Sequence, residues 1–142
     1  MAEAALAGAG DTARLFAADE ACDEAMLQAA GYLFVCPENL GTMSGAMKEF
    51  FDRCYYPLLG RVEGRPFATA IAAGSDGRGA EAQIERIVTG WRLRRVAEGV
   101  IINLGAQTPE AILAPKTVAF EALVRCRELG AMLGEGLRLG IF

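Results

Sequence analysis

The chain has 142 residues, of which 53% are hydrophobic and 23% are charged, and its formal net charge at pH 7 is −4. This length suits a domain with its own core, and the acidic balance disfavours nucleic acid as a partner because phosphate neutralisation needs a basic surface. No uninterrupted apolar stretch reaches the roughly 18 residues of a membrane span, and the N-terminal segment lacks the pattern of a signal peptide. We therefore expect a cytoplasmic protein without membrane insertion.

The first half of the chain alternates between helical and strand patterns. In chain order it predicts a helix over 2–8, a strand within 13–21, a short helix over 23–30 and a strand over 31–36. The last of these, GYLFVC, is a continuous apolar run between Gly31 and Pro37, which is typical of a strand buried on both faces. We expect the strand to stop at this proline, where a polar loop begins.

The second half continues the alternation. A stripe of apolar residues at spacings of three and four predicts an amphipathic helix from Met43 to Leu58. After it the sequence predicts a strand over 67–74, a helix from Ala80 to Trp91, a strand over 100–104, a loop or single turn over 108–115, and a long helix from Val118 to Leu137. Short apolar strands between helices predict an α/β fold, a parallel sheet between two helical layers in a single domain over 1–142.

The chain contains no histidine and four cysteines, at positions 22, 36, 54 and 126. Without histidine, the chemistry of an enzyme would depend on carboxylates, Lys, Tyr or Cys, or on a cofactor. No two cysteines have C-x-x-C spacing, so we interpret them as small, mostly buried residues in a reducing compartment. The spacing of the acidic and cysteine residues predicts no metal site.

Two polar loops follow predicted strands and enter predicted helices. They cover 37–45 (PENLGTMSG) and 74–79 (GSDGRG). Because ligands bind beyond the carboxyl ends of parallel strands, we expect both loops at one ligand-binding edge of the sheet. Their glycines let the backbone approach a ring closely, and amides at the starts of the two helices can donate to an anion or a polar ring edge. This mixture suits a planar heterocycle with polar edges.

Structural roles explain parts of the same loops. Thr42 or Ser44 can cap a helix, and Met43 can belong to the core. The Asp-Gly pair at 76–77 is common in turns. Both interpretations, ligand site and ordinary turn chemistry, stay open at this point.

Two other clusters allow more than one interpretation. The three arginines at 92, 94 and 95 form the only basic cluster, and we interpret it as a solvated helix end or loop. Tyr55 and Tyr56 either line the mouth of a pocket or divide between core and surface.

The segment PENLGTMSGAMKEFFDR over 37–53 resembles the second flavin-binding loop and following helix of flavodoxin-like NAD(P)H-dependent FMN reductases and quinone oxidoreductases. In that family a strand ends in proline, a G-x-M-S-G loop wraps the isoalloxazine ring, and a helix of the form M-K-x-F-x-D-R follows. The stretch RPFATAIAAGSDGRGA over 65–80 is similar to the family's next strand and third cofactor loop. The likeness covers most of residues 13–142.

The resemblance implies FMN as cofactor and NAD(P)H as electron donor. The cofactor-binding residues that it implies are Pro37, Glu38, Asn39, Leu40, Gly41, Thr42, Met43, Ser44, Gly74, Ser75, Asp76 and Gly77. The family also begins with an apolar strand and a Ser/Thr-rich loop that holds the FMN phosphate, and this sequence has neither ahead of its first helix. We therefore expect an N-terminally incomplete flavodoxin-like domain with a four-stranded sheet.

Three functions are compatible with these features. The first is a flavin-dependent oxidoreductase that passes reducing equivalents from NAD(P)H to a quinone or similar small acceptor. The second is a flavodoxin-type electron carrier, and the third is a flavodoxin-like domain that has lost FMN binding and serves in assembly. Because a missing central strand would leave apolar surface uncovered, we expect a homo-oligomer.

Overall fold

The computed structural model of the protein describes residues 1–142 as six helices and five strands. The helices are α1 (Ala2–Ala9), α2 (Asp23–Gln28), α3 (Gly45–Leu58), α4 (Arg78–Gly90), α5 (Pro109–Leu113) and α6 (Phe120–Arg138). The strands are β1 (Tyr32–Asn39), β2 (Thr42–Met43), β3 (Pro66–Ala73), β4 (Arg94–Arg95) and β5 (Val100–Asn103). None of the helices has the length and apolarity that crossing a membrane requires.

The three longer strands form a parallel sheet in the order β1-β3-β5. β1 pairs with β3 from Tyr32 opposite Phe67 to Pro37 opposite Ala72, and β5 pairs with the end of β3. The short β4 extends the same side of β3 near its start, and β2 folds back antiparallel on the end of β1. The predicted α/β fold with a parallel sheet is therefore confirmed.

Helices cover both faces of this sheet. Alternate strand residues face opposite ways, so Phe34 and Ile71 join an aromatic-rich core with α3 and α4. On the other face, Ala68 and Ala70 pack with residues of α1, β5 and α6. All residues of β3 except Ala72 are buried, which explains why its sequence is apolar apart from Thr69.

Small residues allow α1 to lie directly on α6. A Cβ atom at Gly130 would overlap the carbonyl oxygen of Ala5, and one at Gly134 would overlap that of Ala9. From the other side, a Cβ atom at Gly8 would overlap the carbonyl oxygen of Arg127. The two helix backbones therefore approach too closely for any larger residue at these positions.

The predicted strand within 13–21 is wrong. This stretch pairs with no strand, and Leu15 and Phe16 are 48% and 44% exposed. Instead, the Arg53 side chain of α3 donates hydrogen bonds to the carbonyls of Ala18 and Ala21 and holds the end of the segment against that helix. A strand needs a neighbour for its backbone groups, and none lies beside this one. The sheet has three longer strands and two strands of two residues each.

Two boundaries around Pro37 also differ from the prediction. β1 continues through this proline to Asn39. Met43 lies in β2 and not in α3, but its side chain is buried as the apolar stripe predicts. Between 32 and 37 the outer side of β1 pairs with no strand, so β1 is an edge strand over this stretch, and edge strands tolerate proline. The stretch over 108–115 does contain the single turn, as α5.

The arginine cluster is not simply a solvated loop. Arg94 and Arg95 form β4, and the Arg95 guanidinium lies 4.9 Å from the centre of the Phe67 ring. Its Nη1 donates to the buried Thr69 hydroxyl at 3.2 Å, while Arg92 and Arg94 remain exposed. The two tyrosines divide between core and surface, because Tyr55 stacks on Trp91 and Tyr56 is exposed.

Candidate functional site

The segment predicted as the loop over 37–45 folds as a tight β-hairpin, Glu38–Met43, at the carboxyl end of β1. Its two turn residues, Leu40 and Gly41, have φ angles of 54° and 74°. Two successive positive φ angles define a type I′ turn, which matches the twist of a two-residue hairpin. Leu40 is fully exposed at the tip and is one of two non-glycine residues in the left-handed region.

This hairpin is fixed to the start of α4. The Glu38 carboxylate accepts hydrogen bonds from the amides of Gly77, at 2.8 Å, and Ala80, at 3.0 Å. Further along, the Met43 amide donates to the Gln83 side chain at 2.9 Å. The predicted meeting of two loops at one edge of the sheet is thus present, with Glu38 between them.

Close backbone contact adds to this attachment. A Cβ atom at Gly79 would overlap the carbonyl oxygen of Gly41. At the N-cap of α4, Gly77 has a φ of 92°, which a side chain would strain. Glycine at both positions therefore has a structural cause, independent of any ligand.

The helix-start amides are partly occupied by side chains of the protein. Ser44 caps α3, with its Oγ accepting from the Met47 amide at 3.4 Å. The Glu38 carboxylate likewise accepts hydrogen bonds from amides at the start of α4. The Thr42 hydroxyl donates to backbone carbonyls of the hairpin itself. The sequence predicts that amides at the starts of these helices can donate to an anion or a ring edge. In the structure fewer of them are available, because Ser44 and Glu38 accept hydrogen bonds from three of these amides.

The predicted site residues divide by exposure. Exposed members are Pro37, Asn39, Leu40, Gly41, Thr42, Ser75 and Asp76; partly buried members are Glu38, Ser44 and Gly74; buried members are Met43 and Gly77. The Asn39 and Ser75 side chains hydrogen-bond to no other residue, whereas Asp76 lies 3.5 Å from Arg78. Asn39 and Ser75 are therefore the polar side chains that remain available to a ligand.

Sequence reasoning missed Asn103 at the end of β5. Its amide nitrogen donates to the carbonyl of Ser75, and its oxygen accepts from the Gly105 amide at 2.8 Å. The residue thereby fixes the loop after β3 against the loop after β5. A polar residue at the carboxyl end of the third parallel strand was the signal that could have identified it.

The Cys36 thiol lies close to the hairpin and is buried. Cys36 is buried next to Ser44, and burial raises the pKa of its thiol, with the nearby Glu38 carboxylate adding to the increase. The thiol is consequently protonated at neutral pH. Cys54 and Cys126 are also buried, and none of the four cysteines forms a disulfide.

The shape of this edge is compatible with one face of a flat ring. It presents exposed residues at 40–41 and 75–76 and the partly buried Gly74, with Asn39 beside them. A concavity of about 320 Å³ lies elsewhere and is lined by Glu81, Glu85, Arg95, Glu98 and Gly99. Its acidic lining around one arginine does not suit an apolar ring, so the two-loop edge remains the candidate site.

Comparison with known proteins agrees with this architecture. Residues 10–105 match the family described as NADPH-dependent FMN reductase. A flavodoxin of Aquifex aeolicus (strain VF5) is 31% identical over 139 residues, which cover 95% of this chain and 75% of the relative.

Solved structures share the fold at lower identity. A WrbA-like flavodoxin from Agrobacterium tumefaciens superimposes with a TM-score of 0.73 at 16% identity, over 96% of this chain and 87% of the other. An NADPH-quinone reductase from P. pentosaceus gives a TM-score of 0.55 at 13% identity, over 76% and 71%. With a flavodoxin-like fold and a family match over residues 10–105, the chain belongs to the NADPH-dependent FMN reductase family.

Proposed function

We propose that the protein is a flavin-dependent oxidoreductase in which FMN passes reducing equivalents from NAD(P)H to a quinone or similar small acceptor. The observation that carries the proposal is the attachment of the hairpin to the start of α4, with Glu38 bonded to Gly77 and Ala80. This attachment places the two loops side by side at the edge where parallel sheets bind ligands. Family membership supplies the class of cofactor.

Each part of the edge has an assigned role toward the flavin ring. Asn39 and Ser75, whose side chains make no hydrogen bond within the protein, would hold the polar edge of the ring. Leu40 would cover part of a ring face, and Gly74 would let the backbone lie beside the ring. FMN, when bound, supplies hydride acceptance and electron transfer, so the protein needs no side-chain base and contributes position and hydrogen bonds.

An FMN titration followed by flavin fluorescence tests the site. We expect Asn39→Ala and Ser75→Ala each to weaken FMN binding roughly three- to ten-fold, the effect of one lost hydrogen bond. Gln28→Ala, an exposed amide at the end of α2, is the matched control and should leave the affinity unchanged. Equal affinities in all four proteins would overturn the site assignment.

Turnover separates the proposed reductase from an electron carrier. The carrier is the second candidate because the 31% identical Aquifex relative is named a flavodoxin. A reductase oxidises NADH or NADPH in the presence of FMN and a soluble quinone, and the rate saturates with the nicotinamide. A protein that binds FMN but shows no such oxidation would be a carrier, and one that binds no FMN would be the assembly module.

Two further expectations belong to this proposal. The chain over 1–142 is a single domain, and it forms a homo-oligomer. Sedimentation velocity over a hundred-fold range of protein concentration measures the oligomeric state. A single monomeric species throughout that range would contradict it.

A further inference from the structure

One carboxylate joins the two loops of the candidate site. Oε1 of Glu38 lies 2.8 Å from the Gly77 amide, and Oε2 lies 3.0 Å from the Ala80 amide. These amides belong to the N-cap and the first turn of α4. A carboxylate at this end of a helix is stabilised by two charge-assisted hydrogen bonds and by the helix dipole.

Two further contacts beside Glu38 also hold the hairpin against α4. The Gly41 carbonyl fits against Gly79 only because that residue has no Cβ atom. Gln83, one turn further along α4, accepts from the Met43 amide. The hairpin is thus attached to α4 at three points, and Glu38 supplies the only one that carries a charge.

We propose that Glu38 is a positioning residue, an internal anion that fixes the hairpin and the loop after β3 in one geometry. Both of its oxygens accept hydrogen bonds from amides of the protein, so we assign it to the geometry of the loops and not to the reaction. It also occupies the Gly77 and Ala80 amides at the start of α4, so these two do not donate to the phosphate of a cofactor. The effect on FMN rests on the proposed function, whereas the attachment itself does not.

Hydrogen exchange at two backbone amides tests the attachment without any ligand. In Glu38→Ala, we expect the Gly77 and Ala80 amides to exchange roughly ten-fold faster or more, because each loses a charged acceptor. Glu128→Gln, which removes an exposed negative charge on α6, is the control and should leave both rates unchanged. Unchanged exchange in Glu38→Ala would overturn the proposal.

Chemical rescue distinguishes an anion site from loss of packing. Formate should enter the space left in Glu38→Ala and restore protection at Gly77 and Ala80, while sodium chloride at the same ionic strength should not. Equal effects of the two salts would overturn the assignment of an internal anion. If Glu38→Ala does not fold, Glu38→Gln keeps the volume and one acceptor, and should speed exchange at one of the two amides.

FMN affinity then reports the positioning role. In Glu38→Ala we expect the affinity to fall roughly ten-fold and to recover with formate, while Glu128→Gln binds as the wild type does. Wild-type affinity in Glu38→Ala, together with fast exchange, would show that the attachment does not position the cofactor loops and would overturn that role. A wild-type protein that binds no FMN would refute the proposed function. The hydrogen exchange of the Gly77 and Ala80 amides would then be the only test of whether Glu38 attaches the hairpin to α4.

Discussion

Nη1 of Arg95 lies 3.3 Å from the Glu81 carboxylate, and both groups meet the hydroxyl of the fully buried Thr69. The same guanidinium lies over the Phe67 ring. Both charged side chains are about three-quarters buried, so water screens the pair less than a surface pair. We expect a double-mutant cycle with Arg95→Met and Glu81→Gln to give a coupling free energy of about 1–2 kcal/mol in urea unfolding.

The exposed pair of Arg92 and Glu63 provides the comparison. Its nitrogen–oxygen distance is also 3.3 Å, but both side chains are well exposed to solvent. A double-mutant cycle on Arg92 and Glu63 should give a coupling free energy of less than about 0.5 kcal/mol. Equal coupling in the two pairs would mean that burial does not strengthen the interaction of Arg95 with Glu81.

Leu40→Asn should stabilise the protein. Leu40 has a positive φ and no buried surface to lose, and asparagine tolerates that conformation far better than leucine. We expect the free energy of unfolding to rise by about 0.5–1 kcal/mol in urea titrations without cofactor. Leu40→Ala, which keeps the strained φ, should give no gain, and a gain of the same size there would refute turn strain as the cause.

Gly130→Ala should destabilise the protein because the new methyl group would overlap the Ala5 carbonyl and push α1 away from α6. Overpacking of this kind costs about 1–3 kcal/mol in the free energy of unfolding. Gly45→Ala is the matched control, since it lies in a helix with open space around its Cβ position. If both substitutions had the same effect, close helix contact would not be the reason for glycine at 130.

Stability should fall in mildly alkaline solution. Burial raises the pKa of the thiols of Cys36, Cys54 and Cys126 above their value in the unfolded chain. The folded state then holds protons that the unfolded state releases, so this stabilisation is complete below about pH 8.5 and is lost as the pH rises through the folded-state values. Urea unfolding under reducing conditions at several pH values between 7.5 and 9.5 measures the slope.

Cys126→Ala should flatten that slope, because it removes one of the three buried thiols. Cys22→Ala removes an exposed thiol and should retain the slope of the wild type. Parallel curves for Cys126→Ala and the wild type would contradict the assignment to buried thiols.

The parts of the fold that were predicted are those that local pattern determines. β1 is apolar from Tyr32 to Pro37, β3 is apolar apart from Thr69, and the stripes of α3 and α4 have helical spacing, so their burial was readable from the sequence. The failed strand within 13–21 has an apolar pair as well, but Leu15 and Phe16 find no neighbouring strand. The pattern of apolar residues indicates which segments can enter a sheet, but it does not indicate whether a neighbouring strand is there to pair with them.

The same limit applies to the candidate site. The rule for parallel sheets predicted that both loops would share an edge, and they do. The bond from Glu38 to Gly77 joins residues 39 positions apart and depends on how the hairpin lies on α4. No local motif specifies that register, and the same holds for the contact between Asn103 and Ser75.

The unpaired outer side of β1 between 32 and 37 has a consequence for handling the protein in solution. A strand edge with free amides and carbonyls is a template on which other extended chains can add, and this is how edge-to-edge aggregation starts. Pro37 ends this stretch and has no N–H to donate to an incoming strand. Replacing Pro37 would add a donor at that point, so we expect such variants to aggregate more readily.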